Sequence, residues 1–424
     1  MTDLAWINAA ITSARPQAVG ALLRYFRNLD TAEEAFQDAC LRALRNWPAN
    51  GPPRDPAAWL IMVGRNAGID GARKRKRETE LPDEDHISDT DDVETPLAER
   101  LDNADYRDDI LRLLFVCCHA GLPNTQQIAL ALRIVSGLSV AQIASLFLVS
   151  DAAMEQRITR AKARIAADGA QFETPTAIER AERLAAVATM LYLVFTEGYA
   201  AANAREGETR APLCEEAIRL TRLLLALFPS EAEIMGLLAL MLLQHSRRTA
   251  RFDANGAIVL LDDQDRTQWD HRAIGEGLAL IDKAIRHRRP GPYQVQAAIA
   301  ALHARAATPA ETDWSEIALL YATLERLQPS PVVTLNRAVA VSKVDGPAAA
   351  LALIEPLAKP LDSYFYFHGL KGMMLRDLGR DAEARAAFDR AISLAKSPAE
   401  AAHIRMHLDA LASGKKSAPD LRAV

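Results

Sequence analysis

The chain has 424 residues, of which 50 % are hydrophobic and only 6 % aromatic, and its formal net charge is −5. This length predicts two or three domains, and the aliphatic composition favours helices over strands. No apolar run reaches the ~18 residues of a membrane span, and the N-terminus lacks the pattern of a secretory signal, so we expect a cytoplasmic protein with no membrane partner.

The four cysteines show no paired spacing, which argues against a disulfide framework. The triplet Cys117-Cys118-His119 suggests a metal site as one interpretation. Zinc sites space their ligands further apart and need four of them, so ordinary buried thiols in a helix are the preferred interpretation. The sequence therefore predicts no metal and no cofactor.

The charge is segregated along the chain. The segment 73–77 is purely basic, and an acidic tract follows it at once over 78–104. Such a reversal is typical of a binding edge followed by an extended linker. A basic helix end fits the phosphates of duplex DNA, although a solvated helix end without a partner has the same pattern.

Residues 1–77 predict a compact unit of three helices. Apolar residues recur at helical spacing, and either Asp30 or Thr31 is expected to cap the second helix. The segment 48–56 is rich in proline and glycine and is expected to end that helix in a loop. A third helix is predicted over about 57–77.

A helix-turn-helix pattern follows the acidic tract. Ser139 is expected to cap a short helix, and Ser150 or Asp151 a second helix whose inner face carries Met154 and Ile158. In such a motif the second helix can enter the major groove of DNA. An ordinary helical hairpin is the alternative interpretation.

The C-terminal part resembles the tetratricopeptide repeat. Small residues and proline recur in the expected phase over 364–398, with Gly372, Gly379 and Ala384 as examples. Weaker copies precede this stretch, and from Pro329 to Pro398 is about two repeat lengths of ~34 residues. Stacked repeats form a concave surface that commonly holds a partner.

One segment, 246–266, does not fit the repeat. Asp253-Ala-Asn-Gly256 predicts a tight turn, and the flanking residues favour a β-hairpin inserted between helices. Its charged residues, with Trp269, Asp270 and His271, raise the alternative of an enzyme site, but a structural or protein-contact loop is the preferred interpretation.

The predicted fold is all-α: two small helical domains and a helical-repeat extension with a possible β-hairpin insertion. The predicted order is a first helical domain (1–77), an acidic linker (78–104), a second helical domain with the helix-turn-helix (105–170), a tetratricopeptide-like extension (171–412) and a disordered tail (413–424).

The order of these features over residues 4–168 resembles extracytoplasmic-function RNA polymerase sigma factors. An acidic helix, a Pro/Gly loop, a helix with Trp59 and Asn66, a basic end, an acidic linker and a helix-turn-helix follow each other as in that family. The C-terminal extension resembles the subgroup with a tetratricopeptide-like domain. The chain departs from the family pattern at Leu148, Ser150 and Glu155, which bears on promoter preference.

The resemblance implies three sets of site residues. For the −10 promoter element it implies Asn50, Gly51, Arg54, Asp55, Trp59, Asn66, Arg73, Lys74 and Arg75. For the −35 element it implies Ser150, Glu155, Gln156, Arg157, Arg160 and Lys162. For core polymerase it implies Glu33, Glu34, Gln37 and Asp38. Trp59 fits a buried core position equally well.

The implied partners are core RNA polymerase, promoter DNA and an unknown protein or intramolecular partner of the extension. The implied function is promoter recognition and transcription initiation, with control through the extension and without catalysis. One alternative is a helix-turn-helix regulator that acts without polymerase, and another is a repeat scaffold or enzyme. No phosphate-binding glycine loop and no nucleophile motif supports an enzyme.

Overall fold

The computed structural model describes residues 5–51, 53–77, 103–119, 121–147, 149–167, 177–199, 204–254, 259–395 and 398–412. The regular elements of this part of the chain are helices, without a β-strand, so the all-α prediction is confirmed. Contacts divide the chain into two compact units, Met1–Val194 and Phe195–Val424. The predicted linker up to residue 102 and the predicted tail 413–424 lie outside the described residues.

The described part of the first unit contains seven helices and most of an eighth. They are α1 (Ala5–Phe26), α2 (Leu29–Asn50), α3 (Pro56–Arg77), α4 (Asn103–Cys117), α5 (Asn124–Ile134), α6 (Val140–Leu146), α7 (Asp151–Ala167) and α8 (Ala177–Tyr199). The predicted boundary at residue 170 lies outside the described residues, and the unit extends through the first part of α8.

The first three helices pack around aliphatic and aromatic side chains, as their spacing predicts. Leu22, Phe36 and Leu60, one from each helix, are almost completely buried. The cap of α2 differs from the prediction: Asn28 Oδ1 accepts a hydrogen bond from the Thr31 backbone N–H at 2.9 Å, and the helix begins at Leu29. Asparagine caps a helix as well as aspartate does, so both residue types in this stretch fit the position.

The predicted end of α2 at Pro48 is wrong, because the helix continues to Asn50. Proline removes one hydrogen bond from a helix, and in the last turn this loss is small because the final carbonyls lack intrahelical partners in any case. The helix ends at Gly51, whose φ of 77° lies in the left-handed region and whose N–H donates to Trp47 O at 2.8 Å. The loop between α2 and α3 is therefore short.

A buried ion pair lies where α4 packs against α1. Arg112 Nη1 donates to Asp109 Oδ1 at 2.7 Å, and both side chains are almost fully buried. The helices approach closely here, since a Cβ atom at Gly20 of α1 would lie 2.8 Å from the Asp109 carbonyl oxygen. Arg24 of α1 lies 3.4 Å from the same carboxylate oxygen. Polar and close-packing constraints thus join α4 to the three-helix core.

The second unit is a chain of helices in which sequence neighbours pack together. They are α9 (Ala204–Leu227), α10 (Ala232–His245), α11 (His271–Ile285), α12 (Pro292–Arg305), α13 (Trp314–Leu327), α14 (Pro331–Val344), α15 (Pro347–Ile354), α16 (Phe365–Asp377), α17 (Asp381–Leu394) and α18 (Pro398–Ala412). Such nearest-neighbour packing is typical of helical repeats.

Helix α10 is apolar on all sides because α9, α11 and α12 surround it. The Glu233 side chain, near the start of α10, forms hydrogen bonds to α12. Its carboxylate accepts from the backbone N–H groups of Tyr293 and Gln294 at 3.1 and 3.2 Å. These donors belong to the first turn of α12, where N–H groups lack intrahelical partners, so Glu233 caps that helix from outside.

Of the predicted β-hairpin, the described residues show one backbone pairing between its two sides. Val259 N donates to Arg251 O at 2.8 Å, but the neighbouring described residues form short 3₁₀ turns at Arg248–Ala250 and Leu261–Asp263. Its tip, 255–258, lies outside the described residues. The segment is closed by Asp270 N, which donates to Ser246 O at 2.9 Å. Polar contacts thus join the described ends of this insertion.

The strongest repeat pattern in the sequence forms a tight helix pair, α16 and α17. Gly379, with a φ of 70°, lies in the short connection. A Cβ atom at Gly372 would lie 2.5 Å from the ring of Phe388, which is fully buried. The absence of a side chain at Gly372 therefore allows the two helices to approach closely, as the sequence pattern predicts.

We expect Gly372→Ala to destabilise the second unit by about 1–3 kcal/mol, because the added methyl group overpacks a buried ring. Gly275 in α11 is the matched control, since a Cβ atom there meets nothing within 4 Å. Gly275→Ala should stabilise by about 0.5–1 kcal/mol through helix propensity. Calorimetric unfolding of the full chain measures the change in stability for both variants. Changes of equal size and the same sign in the two variants would contradict this packing.

Candidate functional site

The helix-turn-helix has the predicted caps. Ser139 Oγ accepts from Gln142 N at 3.1 Å, and Gln142 Oε1 accepts from Ser139 N at 2.8 Å, which is a complete capping box at the start of α6. Ser150 Oγ accepts from Ala153 N at 3.3 Å and caps α7. Met154 and Ile158 of α7 are buried as predicted. The outer face of α7 is therefore fixed relative to α6.

Five of the six predicted −35 residues lie on α7, and the sixth, Ser150, caps it. Gln156 and Arg160 are exposed on the face opposite the buried one, and Glu155 is exposed beside them. Arg157 is half-buried on one flank of the buried face, and Lys162 lies on the other flank. Thr159 and Ala163 are also exposed on the outer face, where the sequence interpretation missed them; their i+3 and i+7 spacing from Gln156 was the available signal.

The short loop before α3 is held at both ends. Gly51 N–H bonds to Trp47 O, and Asp55 Oδ1 accepts from the backbone N–H groups of Ala57 and Ala58 at 3.0 Å each. Of the predicted −10 residues, Asn50 and Arg54 are exposed, and Asp55 has a capping role. Asn66 is exposed on α3.

Trp59 lies in an aromatic cluster rather than on the surface. Its ring centroid is 5.4 Å from that of Trp47, edge to face, and Trp47 also stacks on Trp6 at 6.3 Å. Trp59 is half-buried, which agrees with the core interpretation while leaving part of the ring accessible. The basic residues Arg73, Lys74 and Arg75 lie in the last turns of α3, and their side chains are outside the described part of the structure.

An exposed stripe follows one face of α2. Glu34, Gln37 and Asp38 of the predicted core-polymerase set are exposed on it. Leu41 and Leu44 continue the stripe and are 54 % and 40 % exposed. The sequence interpretation missed these two leucines, although the i+4 spacing of Leu41 and the i+7 spacing of Leu44 from Gln37 marked the same face. We call residues 34, 37, 38, 41 and 44 the α2 stripe.

Glu33 differs from its three predicted companions because its side chain is only 6 % exposed. Lys162 Nζ of α7 donates to Glu33 Oε2 at 2.6 Å and to Asp30 Oδ1 at 2.7 Å. Arg15 Nη2 lies 3.6 Å from the other carboxylate oxygen of Glu33. A residue expected to bind polymerase and a residue expected to bind DNA are therefore bonded to each other.

Burial alone would lower the pKa of the Lys162 ammonium, but its hydrogen bonds to Asp30 and Glu33 outweigh burial and raise this pKa above its ordinary value of 10.5. Because the pKa is higher in the folded chain, the stabilisation from this ammonium is fully present below about pH 10.5 and is lost as the pH rises through the folded value. Lys162 is thus charged and paired at neutral pH.

Cys117 and Cys118 are buried, unpaired thiols at the end of α4. Burial raises the pKa of the Cys118 thiol to about 12 and that of the Cys117 thiol well above its ordinary range, so neither is a thiolate at neutral pH. Within the described ranges, no three His, Cys, Asp or Glu side chains group as metal ligands would.

The insertion in the second unit uses its charged residues for structural contacts. The Arg251 guanidinium lies 3.9 Å from the ring centroid of Tyr199 and donates to the Tyr199 carbonyl at 2.7 Å. Asp270 caps α11 by accepting from the N–H groups of Arg272 and Ala273, and Trp269 is buried. No nucleophile and base are paired among these contacts.

A cavity of ≈ 370 Å³ lies beside the insertion. Tyr199, Cys214, His245, Arg248 and Arg251 contribute to its wall. Burial, with the Arg248 charge, lowers the pKa of the His245 imidazole, so this ring is neutral at pH 7. The volume is within the range of small-molecule sites.

Three family descriptions match the chain. Sigma-70 region 2 matches residues 10–78, which span α1 to α3, and Sigma-70, region 4 matches residues 112–165, which span the helix-turn-helix. A family of unknown function (DUF6596) matches residues 183–285, including the insertion.

An uncharacterized protein of Rhizobium meliloti (strain 1021) is 72 % identical to the chain over 413 residues, which is 97 % of each chain. The chain belongs to the family of this protein. The ECF RNA polymerase sigma factor EcfG of Rhodopseudomonas palustris (strain TIE-1) is 28 % identical over 179 residues, which is 41 % of this chain and 91 % of EcfG. No solved structure matches the chain significantly.

The two sigma-70 regions and the distant likeness to EcfG support a sigma factor role for this family member. Sigma-70 regions imply core RNA polymerase and promoter DNA as partners. The match to a family of unknown function covers part of the extension, so the tetratricopeptide-like subgroup stays a prediction. None of the described helices combines the length and apolar character needed to cross a membrane.

Ser139→Ala should weaken the start of α6 by about 1 kcal/mol, because it removes one half of the capping box. Ser145→Ala is the control, since Ser145 is exposed in the same helix outside the cap. The measurement is amide hydrogen exchange of residues 140–146, which we expect to quicken about fivefold in Ser139→Ala only. Unchanged exchange in that variant would contradict the observed cap.

Proposed function

We propose that this chain is an RNA polymerase sigma factor that binds core polymerase, recognises −10 and −35 promoter elements and directs transcription initiation. The observation that carries the proposal is the presence of sigma-70 regions 2 and 4 in one compact unit, each with an exposed face suited to its partner. Sigma factors of these families are DNA-binding regulators and not enzymes.

The α2 stripe is the proposed contact with core polymerase. Acidic and amide groups at Glu34, Gln37 and Asp38 suit a basic partner, and the adjacent Leu41 and Leu44 add apolar area that gains by leaving water. Two exposed leucines next to each other on a helix are an interaction signal when charged residues border them.

The outer face of α7 is the proposed contact with the −35 element. Gln156 carries the donor and acceptor pair that reads adenine, and Arg160 suits guanine or a phosphate. For the −10 element, the loop with Asn50, Gly51 and Arg54 is proposed to receive an unstacked base. The exposed Asn66 offers a donor and an acceptor to a base edge, and the basic end of α3 is proposed to hold duplex phosphates.

Control of initiation is proposed to run through the second unit, as a tetratricopeptide-like partner domain. Its helices pack in sequence order, as repeats do, and the cavity beside the insertion offers arginine side chains to an anionic small molecule. A chain that lacks residues 200–424 retains α8 and tests this control. Unchanged promoter activity and polymerase affinity in that shortened chain, once circular dichroism has shown it to be folded, would contradict it.

The alternative is a helix-turn-helix regulator that binds DNA without polymerase. The observation that favours it is the capped helix-turn-helix itself, which needs no other domain to enter the major groove. The two functions differ in what binds the promoter. Salt-sensitive, promoter-specific binding seen only with core polymerase supports the sigma factor, and equal binding by the chain alone supports the regulator.

We expect Leu41→Asp to weaken binding to core polymerase about tenfold, because it places a charge in the apolar part of the α2 stripe. Leu319→Asp is the matched control, since Leu319 is 65 % exposed on α13 of the second unit. The measurement is the dissociation constant for core polymerase without DNA. Equal effects of the two substitutions would remove the α2 stripe from the proposed interface.

A further inference from the structure

The junction of α2 and α7 has the chemistry of a site for one ammonium group. Two carboxylates from α2, those of Asp30 and Glu33, accept hydrogen bonds from the same Lys162 Nζ at 2.7 and 2.6 Å. Asp30 and Glu33 are three residues apart and so lie on one face of their helix. The two acids are 129 and more residues from Lys162 in sequence, so the contact depends on tertiary packing.

This contact is not an ordinary surface ion pair. Exposed pairs contribute little because water screens them, but the Glu33 side chain is 6 % and that of Lys162 21 % exposed. Asp30 is 65 % exposed and leaves the site open to solvent on one side. The site is therefore formed by a buried acid and an accessible one, with an entry for another cation.

Contacts of Arg15 also hold α1 against the end of α5 and against Glu33. Arg15 of α1 donates from Nε to Ile134 O at 2.9 Å and from Nη2 to Arg133 O at 3.2 Å. These carbonyls end α5, where a cation is favourable. Gly137 makes room for this side chain, because a Cβ atom there would lie 2.9 Å from Arg15 Cδ. The same guanidinium lies 3.6 Å from Glu33, so the region 2 and region 4 helices share one charged network.

We propose that Asp30 and Glu33 form an acceptor site for a single lysine-type ammonium, which Lys162 occupies in the free chain and a basic side chain of core polymerase occupies in the complex. This inference rests on the proposed sigma factor function and names the chemistry and the regulation of its polymerase contact.

The exchange follows from the geometry of the network. If α7 moves away to reach DNA, Glu33 loses its hydrogen-bonded cation, and a buried carboxylate without one is strongly unfavourable. Arg15 is too distant to replace the lost hydrogen bond, since the structure gives Glu33 Oε1 no hydrogen bond although Arg15 is 3.6 Å away. An incoming ammonium restores the pairing. The same step frees Lys162 to contact a phosphate.

Zero-length carbodiimide cross-linking of the full, unaltered chain tests the proposal, since this reagent activates a carboxyl group, which an adjacent lysine amine then attacks to form an amide with release of the urea. We expect a Lys162–Glu33 or Lys162–Asp30 amide in the free chain by peptide mass spectrometry. The amide should not form when core polymerase is bound first. A chain that has been cross-linked in advance and purified should bind core polymerase at least tenfold more weakly.

The results distinguish failure of the proposed lysine exchange from failure of the proposed sigma factor function. If the unmodified chain binds core polymerase but the cross-linked chain binds equally well, or the amide forms equally in the complex, the exchange is wrong and the sigma factor function stands. If the unmodified chain does not bind core polymerase at all, the proposed function fails and this inference fails with it.

A pair of variants gives a second measurement that needs no reagent. Lys162→Gln removes the competing ammonium. We expect roughly three- to tenfold tighter binding to core polymerase without DNA, because the state in which residue 162 occupies the acceptor site becomes less populated. Lys162→Arg keeps a competing cation and should bind core polymerase more weakly than Lys162→Gln does. Unchanged or weaker binding of Lys162→Gln, with a circular dichroism spectrum equal to that of Lys162→Arg, would overturn the proposal.

Discussion

Buried charge organises the first unit. Asp109 and Glu33 are acids placed inside the packing, and each must keep a cation close because an unpaired buried carboxylate costs about 3–5 kcal/mol. The Arg112 guanidinium pairs with Asp109 within α4, while the Lys162 ammonium of α7 pairs with Glu33 of α2. The first pair lies within one helix, whereas the second joins two helices that are far apart in sequence. The helix-turn-helix is thereby joined by an ion pair to α2, whose exposed face is proposed to meet polymerase.

The second unit is organised by apolar packing rather than by charge. Helix α10 is enclosed on every side, and glycines allow the closest helix contacts, as at Gly372 against Phe388. The arginines of the insertion that interrupts this packing donate hydrogen bonds within the same unit, to Tyr199 and to the carbonyls of His303 and Ala306. These contacts account for charges that resemble an enzyme site in the sequence, and some of them border the cavity beside the insertion.

Much of this architecture follows from local sequence signals. Helical periodicity, the caps at Ser139 and Ser150, and the small residues of α16 and α17 predict the elements and their buried faces. Pro48 misleads because proline is tolerated in the last turn of a helix. Exposed positions such as Leu41 follow from the helical spacing once the buried face is known.

The pairing of Glu33 with Lys162 could not be predicted in the same way. Each residue fits the helical pattern of its own segment. Their contact joins two helices at positions 129 residues apart in sequence. Family resemblance assigns Glu33 to the polymerase contact and Lys162 to the DNA contact. Only the tertiary packing shows that the two side chains are hydrogen-bonded to each other. Long-range ion pairs carry no periodicity, so a single sequence leaves them unspecified.

The measurement that tests the central claim most directly is transcription by core RNA polymerase with this purified chain, on the promoter upstream of its own gene. The account predicts transcripts with a defined start that disappear when the chain is omitted. Absence of such transcripts, together with absence of any complex between the chain and core polymerase, would contradict it.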